Sequence, residues 1–289
     1  MKKIISIIAM LVFGVIMFSG CSGEKQTGFN TNKEISVISR EDGSGTRGAF
    51  IELFKIEEKD QSGNKVDKTT KEATIAPKTD VMLTNVAGDA YAIGYVSIGS
   101  LNDSIRAFKI DGIEATAENV KNGTYPIARP FNIATKGEPT DLAKDFIGYI
   151  LSEEGQVVVD QSYIRISDDA PAYFGTQPSG KIVIAGSSSV TPIMEKLAEA
   201  YLKINSNAEI EIQMSDSTSG MNAAIDGTCD IGMASRELKD SEKEQLKGIE
   251  IALDGIAVIS NTKNTIDNLT SENVRNIFTG TITKWNELE

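Results

Sequence analysis

The chain has 289 residues, of which 40% are hydrophobic and 24% are charged, and its formal net charge is −12. This length and composition are those of a globular protein with about two domains, and they exclude a disordered chain. The acidic balance argues against a nucleic-acid partner, which needs a basic face. Histidine is absent and there are two cysteines, which excludes histidine triads, histidine metal sites and a disulfide framework.

The first 20 residues have the pattern of a secretory leader. Two lysines precede an apolar run over residues 4–18, which is shorter than the roughly 20 residues that span a bilayer. Ser19 and Gly20 stand directly before Cys21, as in a bacterial lipobox whose cysteine is acylated. We therefore expect a lipoprotein signal peptide over 1–20, a tether over 21–33 and a lipid-anchored protein on the extracytoplasmic face of the cell membrane. An ordinary cleaved signal peptide is the alternative.

The first half of the remaining chain alternates strands and helices. Residues 34–39 predict a strand, and the glycine turn at 41–45 leads into a helix with Phe50, Leu53 and Phe54 on one side. Further along, the patterns predict a buried strand at 92–98, an extended segment at 127–135 interrupted by Pro130, and a helix at 141–151 capped by Thr140.

The second half repeats this alternation after a linker at 167–180, which is rich in Asp, Pro, Gly and Ser. The patterns there predict strands at 181–185, 209–214 and 230–234, a helix that opens at Thr191-Pro192, and a helix at 220–225. Strands that alternate with helices indicate an α/β fold with largely parallel sheets.

Three separate strand-to-helix turns carry glycines and hydroxyl side chains. They are Gly43-Ser44-Gly45-Thr46, Gly186-Ser187-Ser188-Ser189-Val190-Thr191 and Ser217-Thr218-Ser219-Gly220, with Arg40 just ahead of the first. Free N–H groups at a helix start carry partial positive charge, and small residues let an oxyanion approach them. Each turn alone is commonly only a helix cap. Together, at the carboxyl ends of parallel strands, they predict one anion-binding site.

At these residues the chain resembles the PstS family, the phosphate-binding proteins of bacterial ABC transporters. The segment Ser39-Arg40-Glu41-Asp42-Gly43-Ser44-Gly45-Thr46-Arg47 resembles the anion motif of that family's second lobe. Residues 186–192, 217–220 and 230–236 resemble its first-lobe motifs, and residues 92–97 match a further strand. The resemblance implies an α/β periplasmic-binding-protein fold of type II, in which two hinged lobes close on an oxyanion.

The resemblance also implies which residues hold the anion. Arg40 would pair with it, and Asp42 would orient Arg40. The other ligand-binding residues would be Ser44, Gly45 and Thr46 from the second lobe and Ser189, Val190, Thr191 and Ser217 from the first. No catalytic residue, metal or cofactor is implied.

The order of the segments departs from the family's pattern. The family usually runs from the Gly186-type turn to the segment at 285–288 and only then to the Arg40-type motif, which here comes first. We interpret this as a circular permutation, with the linker joining the customary ends. Lobe one would span 128–253, and lobe two would combine 34–127 with 254–289. The alternatives to a self-contained monomer are a rearranged fragment and a swapped dimer.

A second departure concerns the proton of the anion. Many relatives place an aspartate directly after the serine that matches Ser235, where it accepts a hydrogen bond from protonated phosphate, but this chain has Arg236 there. Glu237, Asp254 or Glu41 could replace that acceptor, and the sequence does not choose among them. Arg236 itself would be a solvated charge or part of an ion pair between the lobes.

Two classes of function follow from this reading. The first is a lipid-anchored receptor that captures inorganic phosphate and delivers it to the permease subunits of an ABC transporter, without chemistry of its own. The same fold with another oxyanion, such as sulfate, molybdate or tungstate, is a variant of that class. The second is a hydrolase of phosphate esters, which would need carboxylates such as Asp42 or Asp254 as its general base.

Overall fold

The computed structural model describes residues 28–288, so the predicted signal peptide, Cys21 and the first part of the tether lie outside the described residues. The strands are β1 (Ser36–Arg40), β2 (Glu57–Lys59), β3 (Lys65–Asp67), β4 (Thr74–Ala76), β5 (Ala92–Ser97), β6 (Ile105–Ala107), β7 (Lys109–Ile110), β8 (Ala128–Thr135), β9 (Gly180–Ser187), β10 (Ala208–Ser215), β11 (Ile231–Ala234), β12 (Lys247–Asn261) and β13 (Asn268–Leu269). The helices are α1 (Gly45–Leu53), α2 (Thr79–Gly88), α3 (Ala117–Lys121), α4 (Asp141–Ile150), α5 (Glu153–Val159), α6 (Thr191–Ile204), α7 (Ser217–Asp226), α8 (Asp240–Lys243) and α9 (Ser271–Phe278), with 3-10 turns at Ile98–Ser100 and Trp285–Glu287.

Local sequence signals fix several helix starts. The hydroxyl of Thr140 accepts a hydrogen bond from the N–H of Ala143 and caps α4, as predicted. Pro192 lies in the first turn of α6, where a missing N–H costs nothing, and the apolar stripe of that helix is buried. Both helices were therefore correctly predicted from capping and periodicity.

A nine-stranded sheet runs through the molecule in the order β10-β9-β11-β8-β12-β5-β1-β4, and β6 pairs with the far end of β12. Three strands at each end are parallel to one another, whereas β8 and β12 in the middle are antiparallel. We call the end with β10, β9 and β11 lobe one and the end with β5, β1 and β4 lobe two. The predicted parallel sheets are thus present within each lobe.

The two central strands connect the lobes. The 15 residues of β12 pair with β8 in their first part and with β5 in their second part, so one strand belongs to both lobes. The predicted interruption at Pro130 is wrong, because β8 continues through it. Pro130 lies opposite Leu253, whose N–H and C=O both bond to Ile164, so no hydrogen bond is lost for want of a proline N–H.

Buried apolar side chains form separate cores on the two sides of these central strands. The lobe-two core takes its side chains from residues 38–127 and 256–285, together with Ile164. The lobe-one cores take theirs from residues 131–252. Trp285 is 1% exposed in the lobe-two core and packs against Phe29 and Phe108. Burial of such aromatic surface is a main source of each lobe's stability.

The segments at the two ends of the described chain lie side by side. Glu34 forms a β-bridge with Lys284, and the N–H of Asn286 donates to the carbonyl of Thr31 at 2.8 Å. The first and last described segments therefore meet at one surface of lobe two. Within residues 28–288 no helix combines the length and the apolar character needed to cross a bilayer.

Candidate functional site

The three predicted turns meet where the lobes face each other. The turn before α1 comes from lobe two, and the turns before α6 and α7 come from lobe one. The predicted ligand-binding residue Gly45 is buried, and the other seven are at most 5% exposed: Arg40, Ser44, Thr46, Ser189, Val190, Thr191 and Ser217. The strand ends and helix starts therefore bring the predicted residues into one buried cluster, as expected for turns at the carboxyl ends of parallel strands.

Arg40 is the charged centre of this cluster. Its side chain is 2% exposed, and its guanidinium donates two hydrogen bonds to the carboxylate of Glu41, at 2.8 and 2.7 Å. The same guanidinium donates to the hydroxyl of Ser188 in lobe one at 3.1 Å and to that of Thr79 at 3.3 Å. A buried arginine held at one edge by a carboxylate keeps its other donors directed at hydroxyl groups from both lobes.

The predicted role of Asp42 is wrong in this geometry. The side chain of Asp42 is 97% exposed and pairs with Arg47 at 2.9 Å. Arg47 in turn bonds to Asp67 and donates to the backbone carbonyl of Arg40 at 2.6 Å. The residue that orients the guanidinium of Arg40 is therefore Glu41, and Asp42 acts on the backbone only through Arg47.

Hydroxyl groups connect the lobes directly. The hydroxyls of Thr46 in lobe two and Ser189 in lobe one are 2.9 Å apart, and those of Thr79 and Ser188 are 3.1 Å apart. The N–H and the hydroxyl of Thr218 both donate to the carbonyl of Gly43, at 3.2 and 3.1 Å. Each contact joins residues from opposite lobes, so the cluster exists only when the lobes are together.

Gly45 allows this close approach. A Cβ atom on Gly45 would lie 2.5 Å from the hydroxyl oxygen of Ser217 and 2.8 Å from that of Ser235. Both distances are shorter than van der Waals contact, so a larger residue would push the two lobes apart. Glycine is needed here for space, in the first turn of α1, and its backbone is not strained.

Some predicted donors are already used within their own turns. The N–H of Val190 and the hydroxyl of Thr191 both donate to the carbonyl of Ser187, each at 3.0 Å. The hydroxyl of Ser217 accepts from the N–H of Ser235 at 3.1 Å. Ser44 caps α1 by accepting from the N–H of Arg47. These residues shape the cluster, whereas Arg40, Thr46 and Ser189 link the lobes.

Four side chains make contacts in the cluster that the sequence did not predict: those of Thr79, Ser187, Ser188 and Ser235. The serines lie within motifs already singled out, so only their individual roles were missed. Thr79 begins α2, and Lys78 before it makes no side-chain cap. No glycine or serine pattern marks that turn. Its position follows from the pairing of β1 with β4, which sets Arg40 beside Ala76.

Arg236 lies at the edge of the cluster. Its guanidinium donates to both oxygens of Glu242 at 2.8 Å, and Glu242 is 4% exposed. Burial alone would raise the pKa of Glu242, but the hydrogen bonds from Arg236 and from the N–H of Lys239, together with the positive charges of both residues, lower that pKa. Both predicted alternatives, a solvated charge and an ion pair between the lobes, are wrong, because the side chains of this pair are only 11% and 5% exposed and both residues belong to lobe one.

A second buried ion pair lies between the lobes on the central strands. Arg129 on β8 and Asp254 on β12 are 2% and 1% exposed, and their charged atoms are 3.1 Å apart. Arg129 also donates to the carbonyl of Ser235, and Ser97 donates to Asp254 at 2.7 Å. Burial raises the pKa of Asp254 to about 6, although Arg129 acts in the opposite direction.

The pair of Arg129 and Asp254 makes part of the free energy of unfolding depend on pH. Because the pKa of Asp254 is raised on folding, the folded state holds a proton between about pH 4 and about pH 6 that the unfolded state has released. This stabilisation of the folded state is fully present below the ordinary pKa of an aspartate. It is lost as the pH rises through the raised pKa of Asp254, and the loss is on the order of 3 kcal/mol.

Asp254→Asn is expected to remove this dependence. The free energy of unfolding of the wild type minus that of the variant should fall between about pH 4 and about pH 7, as measured by urea unfolding. The shared pH response of all other carboxylates cancels in this difference. A difference that rises with pH over the same range would contradict the raised pKa.

Cys229 packs in a core and forms no part of the cluster. Cys229 is 9% exposed in a small apolar core, and burial raises the pKa of its thiol to about 11, which fits the predicted packing role. Among residues 28–288, no group of three or more cysteine, aspartate or glutamate side chains is arranged to hold a metal ion.

The chain is similar in sequence and in structure to known proteins. A family model described as a PBP superfamily domain matches residues 22–154 and 172–289. The chain is 50% identical to the phosphate-binding protein PstS 2 of Streptococcus agalactiae, over 99% of this chain and 98% of that protein. It is 41% identical to PstS 2 of Streptococcus pneumoniae, over 100% of this chain and 99% of that protein. A crystal structure of a phosphate-binding protein of a phosphate ABC transporter from Streptococcus pneumoniae superposes with a TM-score of 0.70, at 43% identity, and covers 89% of this chain and 100% of that one.

Proposed function

Because this chain belongs to the PstS family of phosphate-binding proteins, within the PBP superfamily, we propose that it binds inorganic phosphate between its lobes and delivers it to an ABC transporter permease. The observation that carries the proposal is the buried guanidinium of Arg40, which bonds to hydroxyl groups of Thr79 in lobe two and Ser188 in lobe one. A tetrahedral oxyanion can accept from such donors on several sides at once.

The residues proposed for the site are those predicted from the sequence, with one exchange. Arg40, Thr46 and Ser189 donate to the anion and Gly45 leaves space for it, Ser44, Val190, Thr191 and Ser217 hold the turns around it, and Glu41 takes the orienting role first given to Asp42. A micromolar dissociation constant corresponds to about 8 kcal/mol, and a hydrogen bond to a charged group contributes about 1.5 to 3 kcal/mol. Such a set of donors reaches that affinity even after desolvation.

Thr79 adds a donor to this proposal. Its hydroxyl bonds to Arg40, Ser188 and Ser189, and it begins α2. Thr79→Val keeps the shape of the side chain but removes the hydroxyl, which is worth about 1 kcal/mol, so phosphate affinity should fall about fivefold in calorimetry. Thr84→Val on the exposed side of the same helix is the matched control and should leave the affinity unchanged. Equal affinities for both variants would remove Thr79 from the site.

We further propose the domain division and permuted order predicted from the sequence. Lobe one spans 128–253, and lobe two combines 34–127 with 254–289. The separate apolar cores support this division, and the pairing of residues 31–34 with 284–286 is what a permutation at a surface turn produces. Alignment over 99% of this chain with the Streptococcus agalactiae relative indicates that this order is shared. The contacts between the lobes within one chain favour a self-contained monomer.

The proposal includes a lipid anchor at Cys21 and no enzymatic activity. An anchor at the extracytoplasmic membrane face keeps a receptor close to its permease. The competing hydrolase requires an available general base, and the two carboxylates considered for it are otherwise engaged: Asp42 pairs with Arg47, and Asp254 is buried against Arg129.

Isothermal titration calorimetry with inorganic phosphate, together with a chromogenic phosphate ester as a possible substrate, tests the proposal. We expect saturable phosphate binding with one site per chain and no turnover of the ester. No binding of phosphate at neutral pH, or catalytic turnover of the ester that Arg40→Ala abolishes, would overturn it.

A further inference from the structure

Ser235 joins the turns of the anion cluster. Its N–H donates to the hydroxyl of Ser217 at 3.1 Å, and its own hydroxyl accepts from that of Ser187 at 3.0 Å. A Cβ on Gly45 of lobe two would lie 2.8 Å from the same hydroxyl oxygen. Ser235 therefore touches two turns of lobe one and the turn of lobe two that carries Gly45, and its position affects where the donors of all three turns point.

Side chains of β8, rather than strand pairing, hold the backbone of Ser235 in place. The strand β11 ends at Ala234, so Ser235 is the first residue beyond the ladder. The guanidinium of Arg129 donates to the carbonyl of Ser235 at 3.0 Å. The amide of Asn132 donates to the carbonyl of the next residue, Arg236, also at 3.0 Å. Because an unpaired buried carbonyl is costly, these two bonds fix the backbone at this point.

The same guanidinium is bonded to the strands that connect the lobes. Its Nε and Nη2 donate to Oδ2 of Asp254 at 3.3 and 3.1 Å, while its Nη1 donates to Ser235. Asp254 lies opposite Arg129, close to the point where β12 passes from β8 to β5. The Oδ1 of Asp254 accepts from the hydroxyl of Ser97, the last residue of β5, at 2.7 Å. Arg129 thus links a strand of lobe two, through Asp254, to a turn of lobe one at the anion cluster.

The shape of Arg129 matters here as well as its charge. Its side chain is 2% exposed, and the guanidinium carbon lies 5.3 Å from the ring centroid of Phe131. The guanidinium is a planar fork, and its nitrogens reach Asp254 and Ser235 in different directions. Neutralising Asp254 requires only a positive charge. The bond to Ser235 is therefore a second contact that the charge pair does not explain.

We propose that Arg129 is a positioning residue of the anion site, which holds the turn at Ser235 in its binding arrangement from the strands that connect the lobes. This inference rests on the proposed function and adds a residue that acts through Ser235. Donors around a ligand keep their geometry only when neighbouring side chains hold them in place. The bond to Ser235 therefore contributes to phosphate affinity, whereas the charge pair with Asp254 contributes to stability.

A double variant, Arg129→Met with Asp254→Asn, tests this role. It removes the bond to Ser235 without leaving an unpaired buried charge. It also keeps the net charge near the site unchanged at about pH 8, because Asp254, with its pKa raised by burial to about 6, is ionised there. We expect the double variant to bind phosphate about fivefold more weakly in calorimetry, the effect of one hydrogen bond. Circular dichroism at the same temperature shows whether the variant is folded.

Arg106→Met with Asp267→Asn is the matched control. Arg106 on β6 also donates both to a backbone carbonyl, that of Asn264 at 2.7 Å, and to an aspartate, Asp267 at 2.8 Å. This pair lies in lobe two, where β6 meets the far end of β12. The control should lower the free energy of unfolding and leave the dissociation constant unchanged, because a contact that is only structural does not alter the affinity of the folded protein.

Asp254→Asn alone separates the two contacts of the guanidinium. It keeps Arg129 and its bond to the carbonyl of Ser235, so it should weaken phosphate binding less than the double variant does. If this single variant does not fold, the double variant and its control still decide the question.

Three results would overturn the inference. The double variant could bind phosphate as the wild type does, Asp254→Asn alone could weaken binding as much as the double variant, or the control could weaken it equally. In each of these cases the wild type still binds phosphate, so the proposed function stands. A wild type that binds no phosphate is a different result, because it overturns the proposed function together with the inference.

Discussion

Replacing Arg40 by alanine is expected to weaken phosphate binding at least tenfold. The guanidinium is 2% exposed and donates to hydroxyls from both lobes, so its loss removes a charge-assisted donor from the ligand and a contact between the lobes. One such interaction contributes about 1.5 to 3 kcal/mol, which corresponds to about tenfold or more. Calorimetry at neutral pH measures the effect.

Arg275→Ala is the matched control for this substitution. Arg275 has an exposed side chain, pairs with Glu58 at 3.2 Å and lies on α9, outside the cluster. Its replacement should leave the dissociation constant unchanged, because exposed ion pairs contribute little. If Arg40→Ala keeps its native circular dichroism spectrum and binds phosphate as the wild type does, Arg40 has no role in the site.

Gly45→Ala should also weaken binding, by about fivefold or more and through a different cause. The added Cβ would lie 2.5 Å from the hydroxyl oxygen of Ser217, which belongs to the opposite lobe. Alanine suits a helix better than glycine does, so α1 itself should not suffer. The strain of about 1 to 3 kcal/mol therefore acts on the closed arrangement of the lobes.

Gly48→Ala separates this effect from any change in α1. Gly48 lies one turn along the same helix, and a Cβ there meets nothing within 4 Å. We expect Gly48→Ala to bind phosphate with the affinity of the wild type and to be slightly more stable in thermal unfolding. Equal affinity for the two alanine variants would mean that the lobes do not approach each other at Gly45 when the ligand is bound.

The sequence predicted the elements of the fold because hydrophobic periodicity and helix caps are local. The start of α6 at Thr191-Pro192 and the cap of α4 at Thr140 were both correctly predicted. The prediction of an interruption at Pro130 was wrong, because the effect of a proline on a strand depends on the residue that lies opposite it. That residue is far along the chain. Leu253 directs its hydrogen bonds to Ile164, and only the folded sheet shows that arrangement.

Prediction of the site was limited in the same way, because it depends on contacts that only the folded chain shows. Arg40 and Asp42 would share one side of a continuing strand, which is why the spacing favoured Asp42 as its partner. The strand ends at Arg40, and the N–H of Ser44 bonds back to the carbonyl of Glu41, so the alternation stops there. Thr79 was missed because the register of β1 and β4, which brings it to Arg40, leaves no mark in the turn before α2.

The way in which β12 passes from one lobe into the other bears on how the protein moves. Two hydrogen-bonded strands, rather than free linkers, cross between the lobes, because β8 and the first part of β12 form a ladder up to the pair Ala128 and Gly255. Opening of the lobes must then bend this two-stranded ribbon while its hydrogen bonds stay intact. The backbone therefore gains little conformational freedom when the lobes separate and loses little when they meet. The two lobes keep nearly the same relative orientation while they open and close. Closure on a solute therefore costs little conformational entropy.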